Sequence, residues 1–372
     1  MPALHATAMV GIAFYVVLGL VAALASALLS PVSGWLGRTW GLVDKPGGRR
    51  RHRGIVPRTG GLALWAAFTL VLGLYLAVRG TVGPELGAWL PVSHDPLEDR
   101  RIWALLGGSA FCAVWGIVDD RFDLASRWQY LIQIGAGLIA MAGLIFIKHV
   151  NNPLGPGLLF GPDGFPWWLV LAVTVFWFMG CINTVNWLDG LSGLAAGVSA
   201  ILCAVLVVHM LYVLPEPQAS VAVIPTILLG VIVGFLPANL WRRSLFMGSS
   251  GSYFLGNAVA AVGIMGGAKI ATVMMVLGLP IVDVAWLIFS RLRRGVAPWT
   301  SGRDHLHFVL LDRGVPERAI VFAYYLFCCL FGALTLLLDD RINKLLALLA
   351  LGLGAVIVMA WLSRDHSEPK SG

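Results

Sequence analysis

Two adjacent carboxylates, Asp119 and Asp120, occur in the segment GIVDDRFDL, and Asp123 follows one turn later. They come directly after an apolar run, so they lie at the end of a predicted helix. Neighbouring carboxylates at a helix end are costly to ionise together unless a cation or a cationic side chain joins them. The segment therefore predicts either a cation site or a solvated helix end that pairs with Arg121 and Arg127.

A second polar group, in INTVNWLDG, places Asn183, Asn186 and Asp189 at intervals of three residues. On a helical turn this spacing puts the three side chains on one face. Two amides and a carboxylate offer hard oxygen ligands to a divalent cation, or donors and acceptors to a base or ribose. The alternative is that these residues cap the helix before Gly190.

Two histidines, His305 and His307, lie in a loop that is otherwise rich in arginine. Alternating histidines in a basic loop suit a phosphate better than a transition metal, because no Cys or third His is near. A solvated basic loop is the alternative. Asp283 is an acid inside a predicted membrane helix, so it is a candidate for function or for ion pairs with the neighbouring arginines. These are Arg291, Arg293, Arg294, Arg303 and Arg313.

The elements that position these groups are predicted membrane helices. Apolar residues make up 58% of the 372-residue chain and charged residues 12%, a composition typical of an all-α integral membrane protein. About eleven apolar stretches are each long enough to cross a bilayer, and we expect one polytopic domain over residues 1–372. The first stretch lacks the basic n-region of a signal peptide, so we expect it to be retained. The predicted spans are residues 8–29, 60–79, 102–118, 130–147, 167–182, 193–213, 221–238, 251–266, 269–289, 319–338 and 342–362.

The positive charges predict the orientation of these helices. With eleven spans the loops alternate sides, and 19 of the 26 Lys and Arg residues fall on one side and seven on the other. By the positive-inside rule the basic side is cytoplasmic, which puts the N-terminus in the periplasm and the C-terminus in the cytoplasm. The net charge of +7 is then explained mainly by the membrane topology and by attraction to anionic lipid head groups. Nucleic acid is an unlikely partner, since the basic residues are divided among loops.

All the conspicuous polar segments fall on the predicted cytoplasmic face. Carboxylates, amides, histidines and arginines that share one face are typical of a composite site for phosphoryl transfer. A transporter would place its polar groups at mid-membrane and could show inverted repeats, and the sequence has no internal repeat. The pattern favours an enzyme whose active site is formed by cytoplasmic loops.

Five blocks, in order between Asp44 and Gly314, carry a resemblance to a known family: DKPGGRRRH with PRTGG, GIVDDRFDL, INTVNWLDGLSGLAAG, SLFMGSSGSYFLG and GRDHLHFVLLDRG. Together they resemble the polyprenyl-phosphate N-acetylhexosamine-1-phosphate transferases, multi-helix membrane enzymes of the glycosyltransferase family 4 type. The first block is more similar to the branch that starts O-antigen, common-antigen and teichoic-acid synthesis than to the peptidoglycan branch. That branch includes the bacterial undecaprenyl-phosphate GlcNAc-1-phosphate transferases.

The resemblance implies a reaction. N-acetylhexosamine-1-phosphate is transferred from a UDP-sugar to undecaprenyl phosphate, and GlcNAc is the expected sugar. UMP is released. The lipid diphospho-sugar that forms would initiate a cell-surface polysaccharide such as an O-antigen. Mg²⁺, with Mn²⁺ as an alternative, would bridge the diphosphate. The location implied is the bacterial inner membrane, with a homodimer as the suggested oligomer. The identity of the sugar and the choice between direct attack and a covalent intermediate stay open.

The resemblance also implies roles for single residues. The acidic pair acts on the lipid phosphate and near the metal, Asn186 is a metal ligand, and the His loop holds the sugar and the diphosphate. We therefore expect three groups of site residues. They are the catalytic residues Asp119, Asp120, Asp189, His305 and His307; the substrate-binding residues Asp44, Arg49, His52, Arg53, Arg58, Asn183, Ser192 and Arg303; and the metal ligands Asn186, Asp120 and the position of Ser249.

Three positions depart from the family pattern. Ser249 stands where the family has an aspartate that binds magnesium, Ser192 where it has Asp or Asn near the nucleotide base, and Phe308 where it has a third histidine. A hydroxyl is a poorer ligand for a hard cation than a carboxylate. The alternative function is therefore a diverged family member that binds lipid phosphate or nucleotide-sugar with weak or no turnover.

Overall fold

Long apolar helices form almost the whole of the chain. The computed structural model describes residues 2–44, 54–81, 90–91, 93, 95–152, 155, 157–267, 270–297, 305–338 and 341–364. Within these residues the helices are α1 Pro2–Thr39, α2 Gly60–Thr81, α3 Glu98–Phe122, α4 Ser126–Ala142, α5 Trp167–Leu188, α6 Leu194–Val208, α7 Ala219–Leu236, α8 Gly248–Met265, α9 Ile270–Val276, α10 Gly278–Arg293, α11 Leu306–Asp312, α12 Glu317–Leu337 and α13 Arg341–Arg364. The prediction of an all-α membrane protein is confirmed at this level.

The loop between α1 and α2 contains a small element that the apolar pattern did not predict. Strands β1, Val43–Asp44, and β2, Val56–Pro57, pair antiparallel. The chain beyond β2 then meets the start of α8, where Phe246 N donates to Pro57 O at 2.8 Å and Gly61 N donates to Met247 O at 2.8 Å. These bonds fasten the first loop to the beginning of α8.

Each of the eleven predicted spans is helical in the structure, but not all are equally suited to cross a membrane. Among the described residues, seven helices are long and apolar enough by themselves, and α9 with α10 forms an eighth candidate that is bent by 75°. The other three are shorter or more polar in their described residues: α4, α8 and Ile342–Val358 of α13. The protein is multi-pass; the count of eleven and the orientation stay predictions.

Helix α8 is the centre of the bundle. Every residue from Ser250 to Gly263 is buried, and the helix packs against α2, α3, α5 and α7. Its polar side chains bond to neighbouring helices, as when Asn257 Nδ2 donates to Ser109 Oγ at 3.4 Å. A membrane helix can carry polar residues when protein rather than lipid surrounds it, because each polar group then finds a partner. This position explains why α8 is too polar to qualify as a span.

The two ends of the bundle carry separate sets of polar groups. Glu98 begins α3 and Asp120 lies near its end, so a rise of 1.5 Å per residue puts them about 33 Å apart. At the Glu98 end, Arg79 Nη2 lies 2.6 Å from Asp99 Oδ1. Those residues expected to do chemistry that the structure describes lie at the Asp120 end. The sequence argument that they share one face is therefore consistent with the fold.

The close contact between α3 and α8 depends on Gly116. This dependence can be tested by substitution. A Cβ at Gly116 would overlap the backbone of Ser250, so Gly116→Ala should destabilise the protein by about 1–3 kcal/mol through overpacking. Gly107→Ala on the same helix is the matched control, because its Cβ would meet nothing within 4 Å. Thermal unfolding of detergent-solubilised protein measures both variants. Equal stability of the two would show that α3 and α8 do not pack this closely.

Candidate active site

Three successive backbone N–H groups at the start of α8 point at two carboxylates. Gly248 N donates to Asp189 Oδ2 at 3.1 Å, Ser249 N to Asp120 Oδ1 at 2.9 Å, and Ser250 N to Asp120 Oδ2 at 3.1 Å. The first N–H groups of a helix have no partner within the helix, and the helix dipole favours negative charge there. Asp120 at the end of α3 and Asp189 after α5 therefore cap α8 from outside.

Gly248 allows this close approach. Its φ of +72° is in the left-handed region, and a Cβ there would lie 2.6 Å from Asp120 Oδ2 and would overlap the carbonyl oxygen of Arg58. Only glycine combines that backbone conformation with so little space. The small residues in SLFMGSSGSYFLG are thus explained by the contact between the helix start and the two carboxylates.

Arg58 supplies positive charge beside these carboxylates. Its Nε lies 3.7 Å from Asp44 Oδ1, and its Nη1 lies 3.9 Å from Asp123 Oδ1. Burial raises the pKa of Asp189 well above its usual value and the charge of Asp120 raises it further, while the Gly248 N–H and Arg58 lower it. Two partly buried carboxylates that bond to successive N–H groups of one helix start favour the presence of an added cation.

Asp119 points away from its neighbour and is held by three other groups. Its Oδ2 accepts from the Tyr253 hydroxyl at 3.1 Å, and its Oδ1 accepts from Gln129 Nε2 at 3.1 Å and from Leu124 N at 3.1 Å. These bonds join the end of α3 to α4 and α8. The two members of the acidic pair therefore have different environments, which their adjacency in sequence does not show.

The two asparagines of the second block also differ. Asn186 Oδ1 accepts from Ser252 Oγ at 3.0 Å, which places it beside the start of α8. Asn183 forms a reciprocal pair with Gln133 of α4, with both N to O distances at 2.8 Å. The amide of Asn183 therefore joins two helices, while Asn186 lies with Asp120 and Asp189.

Ser192 lies in a turn that is held by distant residues. Its backbone N donates to Glu317 Oε1 at 3.1 Å, and Glu317 Oε2 lies 3.0 Å from Arg243 Nη1. The next residue, Gly193, donates to Asn239 Oδ1 at 2.8 Å. The ion pair and the amide fix the turn that follows Asp189.

The histidines reach the same turn from the other side. His307 Nε2 lies so close to Gly190 that a Cβ there would be 2.8 Å away, and Phe308 packs on His307 with ring centroids 4.3 Å apart. His305 stacks on His307 with centroids 5.6 Å apart and an interplanar angle of 11°. The histidine loop and the turn after α5 therefore form adjoining parts of one site.

Four predicted site residues lie outside the described residues: Arg49, His52, Arg53 and Arg303. The structure also shows three contacting residues that sequence reasoning missed, Tyr253, Gln129 and Glu317. Tyr253 lies in the same block as Ser249, one turn further along α8, and that spacing could have identified it. Gln129 and Glu317 offer no comparable signal, because their partners come from remote parts of the chain.

The donor set near Asp120 fits Mg²⁺. Among the described residues, no group of three or more His, Cys, Asp or Glu side chains could hold a metal ion. Asp120, Asp189 and Asn186 instead offer two carboxylates and an amide. Mg²⁺ is usually bound by one or two carboxylates together with substrate phosphates and waters. These residues thus suit a metal that arrives with a diphosphate.

Comparison with known proteins shows a family likeness over part of the chain. Residues 102–267 match the family model described as Glycosyl transferase family 4. Over this range the chain is similar to that family. The matched range contains the acidic pair, the asparagine block and the start of α8, and it ends before the histidine loop.

Similarity to individual proteins extends over most of the chain. The probable undecaprenyl-phosphate N-acetylglucosaminyl 1-phosphate transferase of Bacillus subtilis (strain 168) is 27% identical over 335 residues, which are 87% of this chain and 85% of the relative. The undecaprenyl-phosphate alpha-N-acetylglucosaminyl 1-phosphate transferase of Escherichia coli (strain K12) is 25% identical over 290 residues, 75% of this chain and 71% of the relative. The enzyme of that name from Yersinia pestis is 26% identical over 291 residues, 75% of this chain and 72% of the relative.

The bond from Tyr253 to Asp119 gives a testable prediction. Tyr253→Phe removes a donor to a buried carboxylate and should cost about 1.5–3 kcal/mol of stability, the range for hydrogen bonds to charged groups. Tyr15→Phe is the matched control, since Tyr15 donates to the neutral Ala219 O at 2.8 Å and its loss should cost about 0.5–1.5 kcal/mol. Denaturation of both variants in detergent provides the comparison. A smaller loss for Tyr253→Phe than for Tyr15→Phe would contradict the contact.

Proposed function

We propose that this protein transfers GlcNAc-1-phosphate from UDP-GlcNAc to undecaprenyl phosphate, with release of UMP. The observation that carries the proposal is the meeting of Asp120, Asp189 and Arg58 at the start of α8, with His307 beside the turn that follows Asp189. The names of the relatives from Bacillus subtilis and Escherichia coli support the acceptor and the transferred group.

The chemistry follows from the charges that the reaction must hold. An oxygen of the lipid phosphate attacks the β-phosphorus of the nucleotide-sugar, a new P–O bond forms, and the bond from the β-phosphorus to the bridging oxygen breaks to release UMP. Three phosphate groups meet during this step, so positioning and charge neutralisation are the main tasks of the protein. Bound Mg²⁺, or Mn²⁺, would neutralise charge on the diphosphate.

The residues of this chain would divide those tasks. Asp120, Asp189 and Asn186 would hold the metal, and Arg58 would face the phosphate groups. His305 and His307 lie across the turn from Asp189, where a sugar diphosphate would be within reach of both regions. Asp119, held by three donors, would keep the end of α3 in place beside the lipid phosphate.

The wider role is part of the same proposal. A polyprenyl diphospho-sugar formed at a membrane is the first lipid-linked intermediate of a surface polysaccharide, such as an O-antigen. The cytoplasmic membrane of a bacterium and a homodimer are the location and assembly that we expect. The basic loops on the predicted cytoplasmic side would face the soluble nucleotide-sugar.

The test of this function is UMP release by purified protein with UDP-GlcNAc and undecaprenyl phosphate. Release should stop with EDTA and return with Mg²⁺, and Asp120→Asn and Asp189→Asn should each lower it by roughly 100-fold or more, since each removes a charge from the site. Asp99→Asn, at the other end of α3, should retain activity because it loses only an exposed ion pair. If no UDP-N-acetylhexosamine supports metal-dependent release, the transferase proposal fails. Binding of the substrates without turnover would then favour the diverged, non-catalytic function.

Ser249 gives a separate prediction about the metal. The Ser249 N–H already bonds to Asp120, and the side chain begins beside both carboxylates. Ser249→Asp should therefore increase the Mg²⁺-dependent rise in melting temperature, because a third carboxylate joins the donor set. Ser244→Asp is the control, since Ser244 is exposed and its hydroxyl donates to the Ala238 carbonyl. An equal Mg²⁺ response in the two variants would mean that residue 249 is not near the metal.

A further inference from the structure

Asp283 is a buried acid that the proposed reaction does not use. Only 4% of the residue is exposed, and it lies on α10, one and a half turns from the 75° bend with α9. A buried carboxylate is costly unless hydrogen bonds compensate its charge.

Both oxygens bond to the start of α11. Oδ2 lies 3.0 Å from His305 Nδ1, and Oδ1 accepts from Leu306 N at 2.8 Å. His305 is the residue before α11 and Leu306 is its first helical residue. One carboxylate thus bonds to both the imidazole ring of His305 and the backbone N–H of the next residue, Leu306.

This contact determines which nitrogen of His305 carries a proton. A carboxylate only accepts hydrogen bonds, so Nδ1 must be the protonated nitrogen that donates to Oδ2. The other ring nitrogen, Nε2, is then free of a proton when the imidazole is neutral, so it acts as a hydrogen-bond acceptor. A hydrogen bond at one ring nitrogen commonly sets the role of the other in this way.

Neighbouring rings restrict the orientation further. The centroid of the Trp187 ring lies 5.7 Å from that of the His305 ring, and the His307 ring stacks on His305 with centroids 5.6 Å apart. His305 is therefore fixed from α5, α10 and α11 together.

We propose that Asp283 is a positioning residue that holds His305 in the Nδ1-protonated form with Nε2 directed to the substrate. The inference deepens the proposed function and rests on it for its effect on turnover. The contrasting possibility is that Asp283 only anchors α11. The two roles predict different outcomes for a substitution that keeps the bond to Leu306 N and moves the His305 proton from Nδ1 to Nε2.

Asp283→Asn makes that separation. The amide oxygen can still accept from Leu306 N, but the amide nitrogen donates to His305 Nδ1 and forces the proton to Nε2. We expect kcat to fall about 10- to 100-fold, the usual effect of losing such a partner, with little change in the KM for UDP-GlcNAc. In a His305→Gln background the same change should cause little further loss, because the two residues act as one unit. Asp99→Asn, at the far end of α3, is the matched control and should leave kcat unchanged.

A second measurement keeps the inference testable if Asp283→Asn folds poorly or if the protein shows no transferase activity. ¹⁵N NMR of histidine-labelled wild-type protein, assigned with His305→Gln, should show His305 protonated at Nδ1. That result supports the positioning role independently of turnover, whereas absence of UMP release by wild-type protein refutes only the proposed reaction. A wild-type His305 protonated at Nε2 alone, or wild-type kcat in a folded Asp283→Asn variant, would overturn the inference.

Discussion

The bonds between the start of α8 and the carboxylates of Asp120 and Asp189 organise this protein. They place two negative charges at the positive end of a helix that lies in the middle of the bundle. In a medium of low dielectric constant such an interaction is strong, and an uncompensated partner would be costly. The ends of α3 and α5 and the loop that carries Arg58 must therefore meet at one point. The site follows from this requirement.

The central position of α8 resolves an apparent conflict in its composition. A helix rich in Ser and Gly that also carries Asn257 is poorly suited to lipid, yet here its neighbours surround it and bond to its polar side chains. Its small residues also let α2 and α3 approach its backbone closely. The same residues thus permit close packing in the membrane and bring backbone N–H groups to the site.

The departure at Ser249 has a structural context. With Asp in this position, three carboxylates would surround the first turn of α8, whereas this chain has two. Those two are already balanced by three backbone N–H groups and by the nearby Arg58. The site therefore carries less negative charge than the family pattern implies, and it depends more on the phosphate oxygens of a substrate to complete a metal site.

The sequence by itself determined the helical segments, the membrane environment, the resemblance to a known family and the set of polar blocks that share one end of the bundle, because periodicity, apolar length and motif order are local properties of the chain. Only the tertiary structure decided which polar groups meet. Asp119 and Asp120 are adjacent yet face different partners, Asn183 pairs with Gln133 fifty residues away, and Asp283 on α10 bonds to His305 at the start of α11. These pairings depend on how helices cross and on which buried groups remain to be satisfied, and no local pattern encodes either.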